Sequence, residues 1–162
     1  MVSLDNETRS NEEAFLIIKI DLIEFAIPIT QLDKVGEFDN EFLDKMESEF
    51  RLGNYREKNE LIPIINLKKY LQCPVENFHQ TPQSRILFLR YSDETIEIFD
   101  TKSVGIGVDA IIGLYRGVAI ERIRKTKSFA TKELRCFQIN SSVQVNSKIY
   151  PILDLIKVLD LI

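Results

Sequence analysis

Short apolar runs, each closed by polar or turn-forming residues, set the pattern of this chain. Phe15-Leu16-Ile17-Ile18-Lys19-Ile20 is apolar and rich in β-branched residues, which predicts a buried strand. Asp21 to Glu24 predicts a turn, and Phe25-Ala26-Ile27-Pro28-Ile29 a second strand. Pro28 cannot donate to a ladder, so that strand is expected at an edge or a bulge. Val35-Gly36-Glu37-Phe38 continues the sheet, and Leu61-Ile62-Pro63-Ile64-Ile65-Asn66-Leu67 is a further strand. It runs into a helical turn at Lys68 to Leu71, which Pro74 stops.

The second half repeats the order. Ile86 to Tyr91 matches the first strand and Val104 to Val108 the second. Ile149-Tyr150-Pro151-Ile152-Leu153-Asp154-Leu155 matches Leu61 to Leu67, with proline third and Asn or Asp sixth, and a short apolar helix is expected from Leu155 to Leu161. The shared proline, the shared polar residue and the shared helix indicate an internal duplication. A small strand set has open edges that invite wrong pairing, and closing each set into a barrel removes most of them. The fold class is therefore mainly β, as two small barrel subdomains with short helices. Asn66 and Asp154 are placed as helix N-caps, with structural roles.

Two segments interrupt the repeat. Phe42, Leu43, Met46 and Phe50 recur with a helical period, so Asn40 to Phe50 is expected as a helix with an acidic outer face. In Ser92 to Lys102 the alternation Thr95-Ile96-Glu97-Ile98 predicts an extended hairpin arm.

At 162 residues the chain fits one domain, or two small subdomains sharing a core, with no need of a metal or disulfide staple. Hydrophobic residues make up 44% and charged residues 28%, which argues against wholesale disorder. No apolar run reaches a membrane-spanning length. Residues 1–13 carry acids and Asn rather than a basic start and an apolar core. They are expected to be a flexible N-terminal segment without a secretory signal, with the domain proper at 14–162. Cys73 and Cys136 lie in contexts with no metal or redox spacing, which suits a reduced cytoplasmic protein.

The net charge of -4 does not suit a general nucleic-acid binder. The charge is uneven, however: acids crowd Asp39 to Phe50, and bases crowd Arg116 to Arg135. The two stretches are either solvated surfaces or docking patches for partners of opposite sign.

The residue types for catalysis are sparse. His79 is the single histidine and lies in a polar connector, so a triad or a Cys-His pair would have to use it. Gly105-Ile106-Gly107 is a lone G-x-G inside an apolar run, where glycine marks a bulge or a close backbone approach rather than a phosphate site. One histidine and two distant cysteines assemble no metal site, and no cofactor motif occurs. These absences point away from an enzyme.

The order of these elements resembles the CheW-like domain, the coupling module of chemotaxis, over about residues 14 to 161. The resemblance rests on Phe15-Leu16-Ile17-Ile18 followed by Phe25-Ala26-Ile27-Pro28-Ile29, on Leu61-Ile62-Pro63-Ile64-Ile65-Asn66-Leu67, on Gly105 to Ile111, and on Pro151-Ile152-Leu153-Asp154-Leu155. The family pattern G-V-x-N-L-R-G is met here by Gly53-Asn54-Tyr55-Arg56-Glu57-Lys58-Asn59. Arg56 stands for its Asn, Lys58 for its Arg and Asn59 for its last Gly. Asn59 is expected to take the left-handed turn conformation that glycine would.

The resemblance implies two five-stranded, SH3-like barrel subdomains without catalytic activity or cofactor. It implies a scaffold that binds the regulatory domain of a CheA-type histidine kinase and the cytoplasmic tip of a chemoreceptor, with no nucleic acid and no membrane insertion. Leu32, Lys34 and Val35 match the kinase-facing strand end. Ile29, Lys58 and Asn59 match the receptor-facing groove between subdomains. The family usually has an acidic residue where Lys34 stands. As residues alone, Ile29, Leu32 and Val35 also fit barrel-core positions, and Lys58 a solvated turn. Two further readings remain open. One is a divergent module of another motility or developmental pathway, whose basic stretch docks an acidic partner. The other is a barrel-type nucleic-acid binder using Tyr115 and Phe129, which the acidic balance disfavours.

Overall fold

The computed structural model describes residues 12–44, 50–70, 78–90, 103–121 and 141–155. Among them are strands β1 (Glu12–Ile20), β2 (Ile23–Pro28), β3 (Leu32–Glu37), β4 (Phe42–Leu43), β5 (Arg51–Glu57) and β6 (Glu60–Ile65). They continue with β7 (Arg85–Leu89), β8 (Gly105–Val108), β9 (Ala110–Glu121), β10 (Ser141–Val145) and β11 (Lys148–Pro151). A 3-10 turn at Ile29–Gln31 joins β2 to β3, and a single helical turn, α1 (Leu67–Tyr70), follows β6. The chain is therefore mainly β.

The strands form two sheets. One runs β11-β10-β9-β1-β2 and is called the split lobe, because its strands come from both ends of the sequence. The other runs β3-β7-β8-β6-β5-β4 and is called the central lobe. The duplication is visible in the register. In the central lobe β6 pairs with β8 in parallel, Ile64 against Gly105. In the split lobe the matching residues, Ile152 and Ala26, form a parallel bridge. The hairpin β1–β2 thus corresponds to β7–β8, and β5–β6 to β10–β11. Each sheet is completed by the hairpin of the other repeat: β1 pairs with β9, and β7 with β3.

This exchange explains the apolar runs. Leu16, Ile18 and Ile20 of β1 face one side, where they meet Leu87, Leu89, Ile65 and Ile106 in a core between the lobes. Phe15 and Ile17 face the other side, where they pack with Ala26, Val143, Val145 and Tyr150 inside the split lobe. In β7, Leu87 and Leu89 join the inter-lobe core, whereas Ile86 and Phe88 pack with Leu52, Ile62 and Ile64 inside the central lobe. A strand buried on both faces loses the polar alternation of a half-exposed one.

Polar groups also cross between the lobes. The Lys68 ammonium lies 2.7 Å from Asp21 and 3.1 Å from Asp109, with its side chain only 10% exposed. The Asp21 backbone N–H donates to the Asp109 carboxylate at 2.6 Å. Asp21 belongs to the β1–β2 turn, Lys68 to α1 and Asp109 to the link between β8 and β9, so one triad ties three connections. On the opposite link, the Gln31 side-chain amide donates to Asp154 at 3.1 Å and its oxygen accepts from the Leu155 N–H at 2.9 Å. Asn66 and Asp154 occupy the positions just before α1 and Leu155. The first amide after Asp154 is served by Gln31, a partner from outside the local sequence.

Several expectations need correction. Phe42 and Leu43 form β4 rather than the start of a helix; residues 45–49 lie outside the described residues. The physical reason is Asp39, whose backbone carbonyl and side chain hold the Phe42 and Glu41 amides at 3.0 and 2.9 Å. The turn sets Phe42 against Tyr55 and edge-on to Phe38, at 4.8 Å between ring centroids. The stretch around Gly53 is a full strand, β5, and not only a turn. A Cβ on Gly53 would lie 2.3 Å from the Leu43 carbonyl oxygen, so this close approach of β4 requires glycine. The Asp21 turn is shorter than expected, with β2 resuming at Ile23, and β1 begins at Glu12, inside the segment expected to be flexible. The Ser92 to Lys102 arm, Cys73, Cys136, Phe129, the remainder of the basic stretch from Arg122 to Arg135 and the helix beyond Leu155 lie outside the described residues.

The hairpin turns supply a further correction. The left-handed residue between β5 and β6 is Lys58, at φ 56°, and not Asn59. The equivalent first turn positions elsewhere are Asp21 and Asn146, both at φ 55°. Asp and Asn tolerate that region; a lysine there pays roughly 1–2 kcal/mol of Cβ crowding. Lys58→Gly is accordingly expected to raise stability by about 1 kcal/mol, measured by urea denaturation. An unchanged or lower midpoint would mean that the turn is not strained at Lys58.

Candidate functional site

The residues singled out from the sequence gather mostly at one end of the central lobe. Among the described residues β3 pairs only with β7, at the end of the strand order of its sheet. Asp33 is bulged out between Leu32, opposite Leu89, and Lys34, opposite Phe88. A bulge re-aims the side chains that follow it. Here it leaves Leu32 in the inter-lobe core at 5% exposure and puts Val35 at the surface at 44%. A partner meeting this strand would meet Lys34 and Val35, while Leu32 supports them from beneath.

Lys34 is held by its own lobe. Its ammonium pairs with the Glu57 carboxylate at the end of β5 and lies 5.0 Å from the centroid of the Phe88 ring. Both partners of the ion pair are more than a third exposed, so the pair contributes about 0–1 kcal/mol and mainly fixes where the charge sits. Its consequence is positional: β3 is tied to the β5–β6 turn. Glu57, Lys58, Asn59 and Glu60 of that turn, with Asp33 and Ser103, line an open cavity of about 620 Å³. Lys34, Lys58 and Asn59, which the sequence reading divided between two partners, therefore belong to one end of one lobe. Ile29 stands apart, in the 3-10 turn between the lobes, and is 37% exposed.

The floor of this end is aromatic. Tyr55 packs edge-on to Phe88 at 5.2 Å, and its hydroxyl donates to Asp39 at 3.0 Å. Burial, then the Asp39 hydrogen bond and the acids around it, push the Tyr55 hydroxyl up to about 12. The folded pKa is raised above the ordinary value of 10.0, so the stability this group contributes is complete below pH 10 and is lost as pH rises toward 12. An alkaline stability profile should fall in that window in the natural chain, and less steeply in Tyr55→Phe. Identical profiles would discount the Asp39 contact. Beside it, Arg56 donates to Glu41 at 2.9 Å, which holds its guanidinium above its ordinary value and clips β4 to β5.

Glu57, Phe88 and Asp33 were missed from the sequence. Their roles come from pairing between segments distant in sequence, and the Gly36 position opposite Ile86 was the one available hint of a close approach beside the ring. His79 is exposed in the loop before β7. Gly105 and Gly107 lie within β8, where the Gly105 backbone runs against Ile64. Among the described residues no group of His, Cys, Asp and Glu is placed to hold a metal, and no helix is long and apolar enough to cross a membrane.

Comparison with known proteins places this geometry. The family model of the CheW-like domain matches residues 14–162. Among solved structures, the chain is similar to the scaffolding protein TtCheW from Thermoanaerobacter tengcongensis, with a TM-score of 0.62 and 16% identity over 88% of each chain. At that identity the likeness concerns the fold, which is two SH3-like β subdomains. No curated protein sequence matches the chain.

Proposed function

Because this chain belongs to the CheW-like domain family, we propose that it is a non-catalytic scaffold of chemotaxis signalling, coupling chemoreceptors to a CheA-type histidine kinase in the cytoplasm, at receptor arrays. The observation that carries this reading is the exchange of hairpins between two lobes around one shared core. Partners docked at separate places on this shared body would be held in a fixed relation. A shift at one partner then changes the contacts open to the other, which is what coupling between two sites requires.

In this reading Lys34 and Val35 on the β3 edge meet the kinase regulatory domain. Val35 is the apolar anchor, and anchors of this kind carry most of the affinity of an interface. Ile29, Lys58 and Asn59 meet the receptor tip. The left-handed Lys58 supports a functional role, since backbone strain of this kind concentrates at working sites.

Calorimetric titration with a CheA-type regulatory domain and with a receptor cytoplasmic fragment tests the reading. Val35→Arg is expected to weaken kinase binding at least about tenfold, a loss of about 1.4 kcal/mol, and to leave receptor binding unchanged. Binding of the natural chain to neither partner would overturn the proposal.

A further inference from the structure

Among the described residues the chain crosses between the lobes twice, from β2 to β3 through the 3-10 turn and from β8 to β9 at Asp109. The duplication makes the two crossings equivalent. Each makes a backbone hydrogen bond near the end of a matching strand. The Asp109 N–H donates to the Lys19 carbonyl of β1 at 3.0 Å, and the Gln31 carbonyl accepts from the Arg90 N–H, just beyond β7, at 2.9 Å. Each crossing is also clasped by a side chain to one of the two Pro-Ile-x-(Asn or Asp)-Leu segments. Asp109 holds Lys68, one residue past the first segment, and Gln31 holds Asp154 and Leu155, the last two residues of the second.

The two clasps differ in chemistry. The first carries an ammonium that is only 10% exposed, and opening it strands charge away from water. The second is one part-buried amide that donates to Asp154 with one end and accepts from the Leu155 N–H with the other. It exchanges these bonds for water at a smaller net cost, so it is the clasp that opens more readily.

The amide clasp also sits between residues assigned above to the two partners. Ile29 opens the 3-10 turn two residues before Gln31, and Val35 lies four residues after it on β3. Leu32, next to Gln31, is buried in the inter-lobe core, and its carbonyl accepts from the Arg90 guanidinium at 3.3 Å. Arg90 therefore ties the start of β3 to the central lobe, and Gln31 ties it to the split lobe.

We propose that Gln31 is a positioning residue that couples the two docking places. This rests on the receptor and kinase roles proposed above. With the amide closed, the 3-10 turn and β3 hold Ile29 and Val35 in one arrangement; with it open, the turn is released and both places change. A partner at Ile29 that favours the closed state thereby favours the partner at Val35.

Hydrogen exchange of the free chain reads the clasp itself. The Leu155 amide should exchange about tenfold faster in Gln31→Ala than in the natural chain. Titration of a CheA-type regulatory domain with and without saturating receptor fragment reads the coupling. The two affinities should differ at least about fivefold in the natural chain and less than about twofold in Gln31→Ala. Gln31→Glu should lose the coupling too, because a carboxylate cannot donate to Asp154. Adding Asp154→Asn to it reverses that hydrogen bond, keeps an acceptor for the Leu155 N–H and should restore both the protection and the coupling. Circular dichroism melts confirm that each variant is folded. Unchanged Leu155 exchange in Gln31→Ala, coupling equal to that of the natural chain, or no rescue by the paired change would overturn this proposal alone. A natural chain whose kinase affinity is indifferent to the receptor fragment would overturn the coupling on which it rests as well.

Discussion

Lys68→Ala is expected to cost about 3–5 kcal/mol, the usual consequence of removing one partner from a buried ion pair. The ammonium sits between Asp21 and Asp109 at 2.7 and 3.1 Å and lies 5.5 Å from the Phe78 ring. Without it, two carboxylates, each about a quarter exposed, are left facing each other across the junction of the lobes. Urea denaturation measures the loss. The triple change Lys68→Met, Asp21→Asn and Asp109→Asn should cost less than Lys68→Ala alone, because it leaves no uncompensated charge. If Lys68→Ala proved near neutral, the triad would be an ornament on the inter-lobe core and not one of its fastenings.

Phe88→Ala is expected to cost about 3–5 kcal/mol, the range for truncating a fully buried aromatic ring. Phe88 is 2% exposed, supports the Lys34 ammonium and receives the edge of Tyr55. A Cβ on Gly36 would lie 2.6 Å from the Phe88 ring, so the ring fills its site against the β3 backbone. The cavity left behind should therefore loosen β3 and weaken kinase binding, although no proposed contact residue has been changed. Val35→Ala makes the opposite pairing: a surface change within about ±0.5 kcal/mol of stability that weakens binding directly. Denaturation and titration on the same two variants separate the effects. A Phe88→Ala chain that lost stability but bound with full affinity would detach the docking edge from its aromatic floor.

The strands buried on both faces were the most legible part of the fold. Phe15 to Ile20 and Ile86 to Leu89 carry their burial in composition alone, and the shared Pro-Ile-x-(Asn or Asp)-Leu segments announced the duplication. Strands β5 and β10 were not legible. Gly53-Asn54-Tyr55-Arg56 and Ser141-Ser142 are polar or small, and they become strands because β6 and β11 supply partners in register. β9 was hidden in the same way, since its charges drew attention to a surface and its pairing with β1 spans about a hundred residues of sequence.

The candidate site was legible only in part. Resemblance pointed to Lys34, Val35, Lys58 and Asn59 as contact residues, three of which lie at one end of the central lobe with Val35 on the adjoining strand. That Lys34 is clasped by Glu57 over Phe88, and that the left-handed position falls on Lys58, depends on barrel closure, to which no local pattern is sensitive.

The most direct measurement is co-sedimentation of a CheA-type kinase with receptor-bearing vesicles, with and without this chain. The account predicts that the kinase pellets only when the chain is present, that Val35→Arg leaves the chain in the pellet but releases the kinase, and that no chemical change in either partner accompanies assembly. Kinase that pelleted equally well without the chain, or a chain that held neither protein to the vesicles, would contradict it.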